Sequence, residues 1–552
     1  MRRQPRAIVG AGVLLIAALI AAACSGGTDG LSASRAESTA VPAAATEVPP
    51  EATAPEPAEE AAPAATASAP AEESAPEATA PAPSEEAAPA GAERAPAGDP
   101  VPIDVQPELD GVAFQDCGQA YLCAELEVPA DHNDPDDGTI TLELGMLPAG
   151  DPDLRIGVLL VNPGGPGGDM NSFLEYGAGL SDQLLARFDV VGWNPRGVTA
   201  SLNPNCSDEA ENLQLVGALS NTPENEAAIA EAARQAAEAC LAGLDGRAGL
   251  IGTVQTVYDM DLIRRALGED QISFLGYSYG TVLGQFYADR FGANARAVVL
   301  DGVLDTSLTH ENVLVEQIRG FARVIDEVFD TCPTDRACPM VGNPKSAYLK
   351  LMNRLEADPL LDDEGNVLAG PGEAQLALVS VSYSSAEQWP LLYQAFAQAL
   401  EGDGQMMHDL AQFYLETADL GSFFSISCTD GGRMSESDLD RLVGRMIEAA
   451  GEFGRAAAAE ARMCVYWDDA EARPHEPVRA PDAASVLVIG NRGDNATPYE
   501  WAVAVAEALE TGVLLTYNGT GHTSYGRHPC VDDAVDNYLI YLVLSSEDIE
   551  CG

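Results

Sequence analysis

Along the chain, short apolar runs alternate with stretches carrying apolar residues at helical spacing. Gly157–Val161 is a continuous apolar run of strand length, and Phe188–Trp193, Ile272–Leu275, Ala297–Leu300, Val486–Ile489 and Val513–Tyr517 are mostly apolar runs of the same kind, interrupted only by Asp189, Ser273 and Thr516. Runs apolar at nearly every position suit strands buried on both faces. Between and after them, Glu209–Ala242, Tyr258–Leu267, Thr281–Phe291, Tyr499–Glu510 and Val531–Leu544 predict helices. Ahead of them, Leu122–Val128 and Thr139–Leu147 predict an opening antiparallel hairpin, with Pro129–Gly138 as its loop. Strand alternating with helix implies right-handed crossovers and a doubly wound, mostly parallel sheet, an α/β fold. From about 306 to 480 the rhythm changes. Ser307–Phe329, Ser346–Leu355, Glu373–Leu400 and Ser435–Ala450 predict long helices with few strand signals, a helical cap inserted over the sheet.

The ends of the pattern are different. Arg2, Arg3 and Arg6 precede an apolar run, Ile8–Ile20, too short for a comfortable membrane span. Ala21-Ala22-Ala23-Cys24 follows, so residues 1–24 read as an export signal. Cys24 directly after small residues resembles a lipoprotein processing site, where the cysteine is lipidated and anchors the protein. Cleavage at Ala23 with plain secretion is the alternative. Residues 25–100 are almost wholly Ala, Pro, Glu, Ser, Thr and Gly and lack a core's apolar content. They predict an extended, disordered tether. The α/β core then spans 101–305 and 481–552, with the cap at 306–480.

The net charge of -57 excludes a nucleic-acid partner, because phosphates need a basic face. Of 11 cysteines, Cys24 set aside leaves ten, which fits export and five disulfides. Short loops suggest Cys117–Cys123 and Cys332–Cys338. Cys206–Cys240, Cys428–Cys464 and Cys530–Cys551 are the next neighbours, although spacing alone does not fix the pairing. The six histidines do not cluster with the cysteines, so neither a metal nor another cofactor is expected.

The chemistry centres on Gly276-Tyr277-Ser278-Tyr279-Gly280, a G-x-S-x-G pattern between a predicted strand and a predicted helix. Such a turn exposes a strained serine at a helix start, and only glycines fit its flanks. A serine nucleophile needs a base, and the base an orienting acid. Asp494 and His522 each follow a predicted strand end, in the order Ser, Asp, His. His528 lies further on, and His132, His310, His408 and His475 do not directly follow a strand. Asp301 and Asp305 follow the strand after the nucleophile and are the second choice for the acid. Oxyanion donors are expected from the backbone N–H of Tyr279 and from Gly165 or Gly164 in the run Asn162-Pro163-Gly164-Gly165-Pro166-Gly167-Gly168. That run has neither the lysine of a P-loop nor a G-x-G-x-x-G spacing.

Taken together, N-P-G-G-P-G-G at 162–168, W-N-P-R-G at 193–197, G-Y-S-Y-G at 276–280, L-D-G-V-L-D at 300–305, Gly493-Asp494 and Gly521-His522 resemble the secreted tripeptidyl aminopeptidase group. These are α/β-hydrolases related to proline iminopeptidase. The resemblance runs from about Cys117 to Cys551. Asp169 departs from it, standing where relatives commonly have serine. The resemblance implies hydrolysis of short peptides from the amino end. A protonated α-amine then needs a carboxylate in the cleft, with Asp301, Asp305 or an acid of the cap as candidates. A carboxylesterase would use the same triad, and a binding lipoprotein could keep the fold without catalysis.

Overall fold

The computed structural model describes residues 111–552, apart from 176–178, 200–201, 337, 341, 418, 468–471 and 546–547. The expected export signal, Cys24 and the tether lie outside the described residues.

Ten strands form one sheet. In chain order they are β1 (Gln115–Asp116), β2 (Leu122–Asp131), β3 (Asp134–Leu147), β4 (Gly157–Asn162), β5 (Phe188–Trp193), β6 (Ile272–Tyr277), β7 (Ala295–Asp301), then β10 (Val486–Gly493), β11 (Gly512–Thr520) and β12 (Ile549–Cys551). Two further strands, β8 (Leu360–Leu361) and β9 (Val367–Ala369), make a separate small hairpin. The spatial order is β1-β2-β3-β5-β4-β6-β7-β10-β11-β12, antiparallel through β5 and parallel from β5 onward. This is an α/β-hydrolase fold with a helical insert.

The continuous apolar runs are explained by the two faces of the sheet. Within β4, Val158 and Leu160 join one core cluster, while Leu159 and Val161 join the other. Successive side chains on a strand point to opposite faces, so a strand covered by helices on both sides is apolar throughout.

The structure corrects the loop expected at Pro129–Gly138. β2 and β3 extend almost to each other and turn at His132-Asn133, with Pro129 paired to Thr139. Proline is tolerated there because β1 pairs only with Leu122 and Cys123, leaving β2 an edge at Pro129. His132 therefore does follow a strand, but its ring is taken up by Asp259, 2.7 Å away. Two of the long expected helices are broken. Ser207–Gly217 and Pro223–Leu244 are separated by a turn that Thr222 ends by capping Asn225, with Pro223 opening the next helix. In the insert, Pro371–Ser382 and Trp389–Glu401 are likewise distinct, with Pro390 in the first turn of the second.

Between β7 and β10 the insert contributes the helices His310–Thr331, Pro344–Ala357, Pro371–Ser382, Trp389–Glu401, Gln405–Thr417, Leu420–Gly431, Glu436–Ala457 and Ala459–Met463. Gln405–Thr417 and Leu420–Gly431 were not among the expected helices. Leu420–Gly431 is rich in Ser, Gly, Thr and Asp, which disfavour a helix in isolation, so tertiary packing holds it. Disulfides join Cys117–Cys123, Cys206–Cys240, Cys332–Cys338, Cys428–Cys464 and Cys530–Cys551. Five such bonds belong to an extracytoplasmic protein.

Candidate active site

β6 ends at the Ser278 turn, and the helix Gly280–Phe291 starts two residues later. Ser278 has φ +52°, a conformation costly for any residue with a side chain. A Cβ on Gly276 would lie 2.4 Å from the carbonyl of Gly280, and one on Gly280 would lie 2.8 Å from that of Asn162. Both glycines are thus required by space. The Ser278 N–H donates to the Asp301 carbonyl at 2.9 Å, tying the turn to the end of β7.

Asp494 follows β10 and is fully buried. Its Oδ1 accepts the N–H groups of Ala496 and Thr497, each at 2.9 Å, and its Oδ2 the Thr497 hydroxyl at 2.9 Å. His522 Nδ1 lies 2.9 Å from Asp494 Oδ2 and 3.0 Å from Oδ1. Burial alone would raise this carboxyl, but the His522 ring and the Thr497 bonds hold it below its ordinary value. It therefore stays ionised beside the imidazole.

With Nδ1 facing Asp494, the remaining ring nitrogen is Nε2, buried and without a protein partner among the described residues. Two elements fix the ring. The His522 N–H donates to the Tyr383 carbonyl of the cap at 3.0 Å, and the Tyr383 ring meets the imidazole edge-on, centroids 5.4 Å apart. Gly302 borders the imidazole, since a Cβ there would lie 3.0 Å from His522 Cε1. Gly302 directly follows Asp301, which holds the Ser278 turn, so serine and histidine flank the same strand end. Ser278 Oγ and His522 Nε2 are not hydrogen-bonded to each other in this structure. His528 instead caps the helix Pro529–Tyr541, accepting from Cys530 N–H.

The glycine-rich run passes directly beside the serine turn. A Cβ on Gly164 would lie 2.4 Å from the Tyr277 carbonyl, 3.0 Å from Ser278 Cβ and 3.0 Å from Tyr279 N. Of the expected donors, Gly164 is already committed, because its N–H donates to Asn162 Oδ1 at 3.0 Å. The N–H groups of Gly165 and Tyr279 have no protein acceptor among the described residues, and both residues line the cavity with Ser278.

Neither Asp301 nor Asp305 lines that cavity. The buried Asp301 carboxylate accepts from Ser524 N–H at 3.0 Å and Tyr525 N–H at 2.8 Å, just beyond His522. Burial pushes it up to about 6. Asp305 caps its own turn by accepting from Ser307 N–H at 2.9 Å. Both are structural here. Asp169 caps the helix Met170–Glu175 through Asn171 and Ser172.

The cavity over Ser278 has a volume of about 160 Å³ and is roofed by the insert. Val313, Ile318, Phe321, Tyr414, Phe424 and Phe453 make its walls largely apolar. Two carboxylates line it that no motif marked, Asp430 and Glu460. Asp430 is hydrogen-bonded and close to Arg473. Glu460 makes no hydrogen bond or ion pair among the described residues, and burial alone pushes it up to about 7. The signal for Glu460 was weak. It stands in a run of alanines, Ala456–Ala459 and Ala461, where a lone acid looks like a solvated helix position. Among the described residues no three His, Cys, Asp or Glu side chains converge to hold a metal ion.

The TAP-like protein family matches residues 449–551. Serine protease Hip1 of Mycobacterium tuberculosis is 31% identical over 76% of this chain and 85% of its own. The chain belongs to the TAP-like α/β-hydrolases. Carboxylesterase B of the same organism is 30% identical over 78% of this chain and 86% of its own. Tripeptidyl aminopeptidase of Streptomyces lividans is 28% identical over 80% and 87%. This TAP-like chain is therefore a serine hydrolase whose relatives carry both protease and esterase names. The family does not choose between them, so the discriminating features must be sought in the cavity.

Proposed function

We propose that the protein is a serine aminopeptidase of the cell envelope that releases short peptides or single residues from peptide N-termini. Ser278 is the nucleophile, His522 the base through Nε2, and Asp494 the acid that orients and stabilises the imidazolium. Ser278 Oγ attacks the scissile carbonyl while His522 takes its proton. The oxyanion is received by the N–H groups of Gly165 and Tyr279. His522 then gives the proton to the leaving amine, and water resolves the acyl-enzyme by the same steps in reverse order.

One observation carries the peptidase reading. Glu460 is a carboxylate without a partner on the wall of an apolar cavity that also holds Ser278. An ester needs no anion there, whereas the ammonium of a free peptide N-terminus does. The enclosing insert supports a restriction to short peptides. Lipidation of Cys24, with residues 25–100 as a tether, would hold the catalytic domain outside the membrane. The second reading is a carboxylesterase, favoured by the apolar walls.

A panel of free-amine peptidyl arylamides, their N-acetyl counterparts and short acyl esters separates these readings. The expected result is preference for free-amine peptides, abolished in Ser278→Ala. Turnover of esters alone would remove the peptidase reading. Failure of a fluorophosphonate to label Ser278 in folded protein would remove catalysis by this serine altogether.

A further inference from the structure

The helix Leu420–Gly431, from the insert, touches both sides of the oxyanion site. At its start, Asp419 N–H donates to the Gly167 carbonyl at 3.4 Å, and a Cβ on Gly167 would lie 2.9 Å from the Asp419 carbonyl and 3.1 Å from Phe423 N. The glycine-rich run is thus seated directly on this end. At the other end, Asp430 reaches the residue after the nucleophile. Its Oδ2 accepts the Tyr279 hydroxyl at 3.0 Å and the Thr253 hydroxyl at 2.6 Å, and its Oδ1 accepts Thr253 N–H at 2.7 Å. The Thr253 and Tyr279 hydroxyl oxygens are themselves 2.7 Å apart.

Asp430 therefore does two things. It caps the helix Thr253–Ala266, whose own N-cap, Gly252, supplies no side chain. It also grips the phenol of Tyr279 and so restrains the backbone whose N–H faces the developing oxyanion. Its own position is over-determined. Arg473 N–H donates to the Asp430 carbonyl at 3.1 Å, the neighbouring Thr429 accepts the Trp467 indole N–H at 3.0 Å, and Cys428 is bonded to Cys464. Burial pushes the Tyr279 phenol well above its ordinary range, so it remains a donor throughout the working pH.

We propose that Asp430 is a positioning residue for the hydrolytic reaction: through Tyr279 it holds the oxyanion-site N–H in place from the inserted helix. The proposal rests on the serine-hydrolase mechanism above. A few tenths of an ångström at an oxyanion donor matter because the bond is made only in the transition state. Loss of the grip thus lowers kcat and leaves substrate binding alone.

The test uses the full chain and one activated ester or arylamide substrate. Asp430→Asn is expected to lower kcat by about 10- to 100-fold, below the loss of a whole donor, with KM within about 2-fold. Affinity for an alkylboronic acid, whose serine adduct mimics the tetrahedral intermediate, should fall by the same factor as kcat. Tyr279→Phe should reproduce both effects, and the double variant should be no worse than the poorer single one. Multiplying losses, or a raised KM at unchanged kcat, would overturn the proposal and leave Asp430 a helix cap only. Should Asp430→Asn fail to fold, Tyr279→Phe decides alone, and an unchanged kcat overturns the claim. Ser278→Ala separates the two layers. Activity that survives it defeats the mechanism. Activity that requires Ser278 but ignores both Asp430→Asn and Tyr279→Phe defeats only the positioning role.

Discussion

Replacing Glu460 with glutamine removes a charge and almost no structure. The wild-type side chain makes no hydrogen bond or ion pair among the described residues, so the substitution orphans no protein group. A charge-assisted hydrogen bond to a substrate ammonium contributes about 1.5–3 kcal/mol, which is about 10- to 150-fold in kcat/KM. With the carboxyl pushed up to about 7, about nine-tenths of it is ionised at pH 8. The assay is kcat/KM for a free-amine peptidyl arylamide divided by that for its N-acetyl form, since the ratio cancels ionisations shared by both. The wild-type ratio should rise from pH 6 to about pH 7.5 as Glu460 ionises and fall again above about pH 8 as the substrate's own α-amine loses its proton, and the Glu460→Gln ratio should be about 10- to 150-fold lower at about pH 7.5. Stability gives an independent reading. The folded value of about 7 lies above the ordinary 4.5, so the fold favours the neutral acid. That stabilisation is complete below 4.5 and is lost as pH rises through 7, at up to about 1.4 kcal/mol per pH unit. Glu460→Gln should therefore gain in Tm over wild type between pH 4 and pH 8. Equal losses for free-amine and N-acetyl substrates, or no loss for either, would refute the reasoning.

Other perturbations report on the frame around the site. Gly164→Ala places a Cβ 2.4 Å from the Tyr277 carbonyl at φ +92°. Backbone strain of about 1–2 kcal/mol and overlap of about 1–3 kcal/mol should lower Tm and reduce kcat at least about 10-fold; an unaltered kcat would show that the loop and turn are not in register. Asp301→Ala leaves the buried N–H groups of Ser524 and Tyr525 without their acceptor. A cost of about 1–3 kcal/mol for each should appear in chemical denaturation, with faster amide exchange in the His522 loop; wild-type stability would mean that water replaces the carboxylate.

Local patterns determined much of this protein. Doubly buried strands announce themselves as apolar runs, because both faces of a parallel sheet are covered, and this made a doubly wound α/β fold legible before any coordinates, while its kinship to α/β-hydrolases came from the motifs at 162–168, 276–280 and 493–494. The crowding around Ser278 was legible too, since a tight turn demands Gly276 and Gly280 within two residues of the serine. Asp494 and His522 were recognisable only by their positions after strands, a topological argument and not a local one. Side-chain traffic between distant segments was decided by the tertiary structure. Asp301 looked like a substrate ligand after β7 and instead holds the loop beyond His522. Gly164 looked like an oxyanion donor, but its N–H is taken by Asn162 two residues earlier, a local turn that composition did not mark. Glu460 and Asp430 have no motif at all, because what makes each of them notable is its surroundings. One lacks a partner in an apolar cavity, and the other bridges two helices and a tyrosine. Sequence spacing encodes the period of a strand or helix, whereas solvation and pairing arise from residues hundreds of positions apart, brought together only when the insert closes over the sheet.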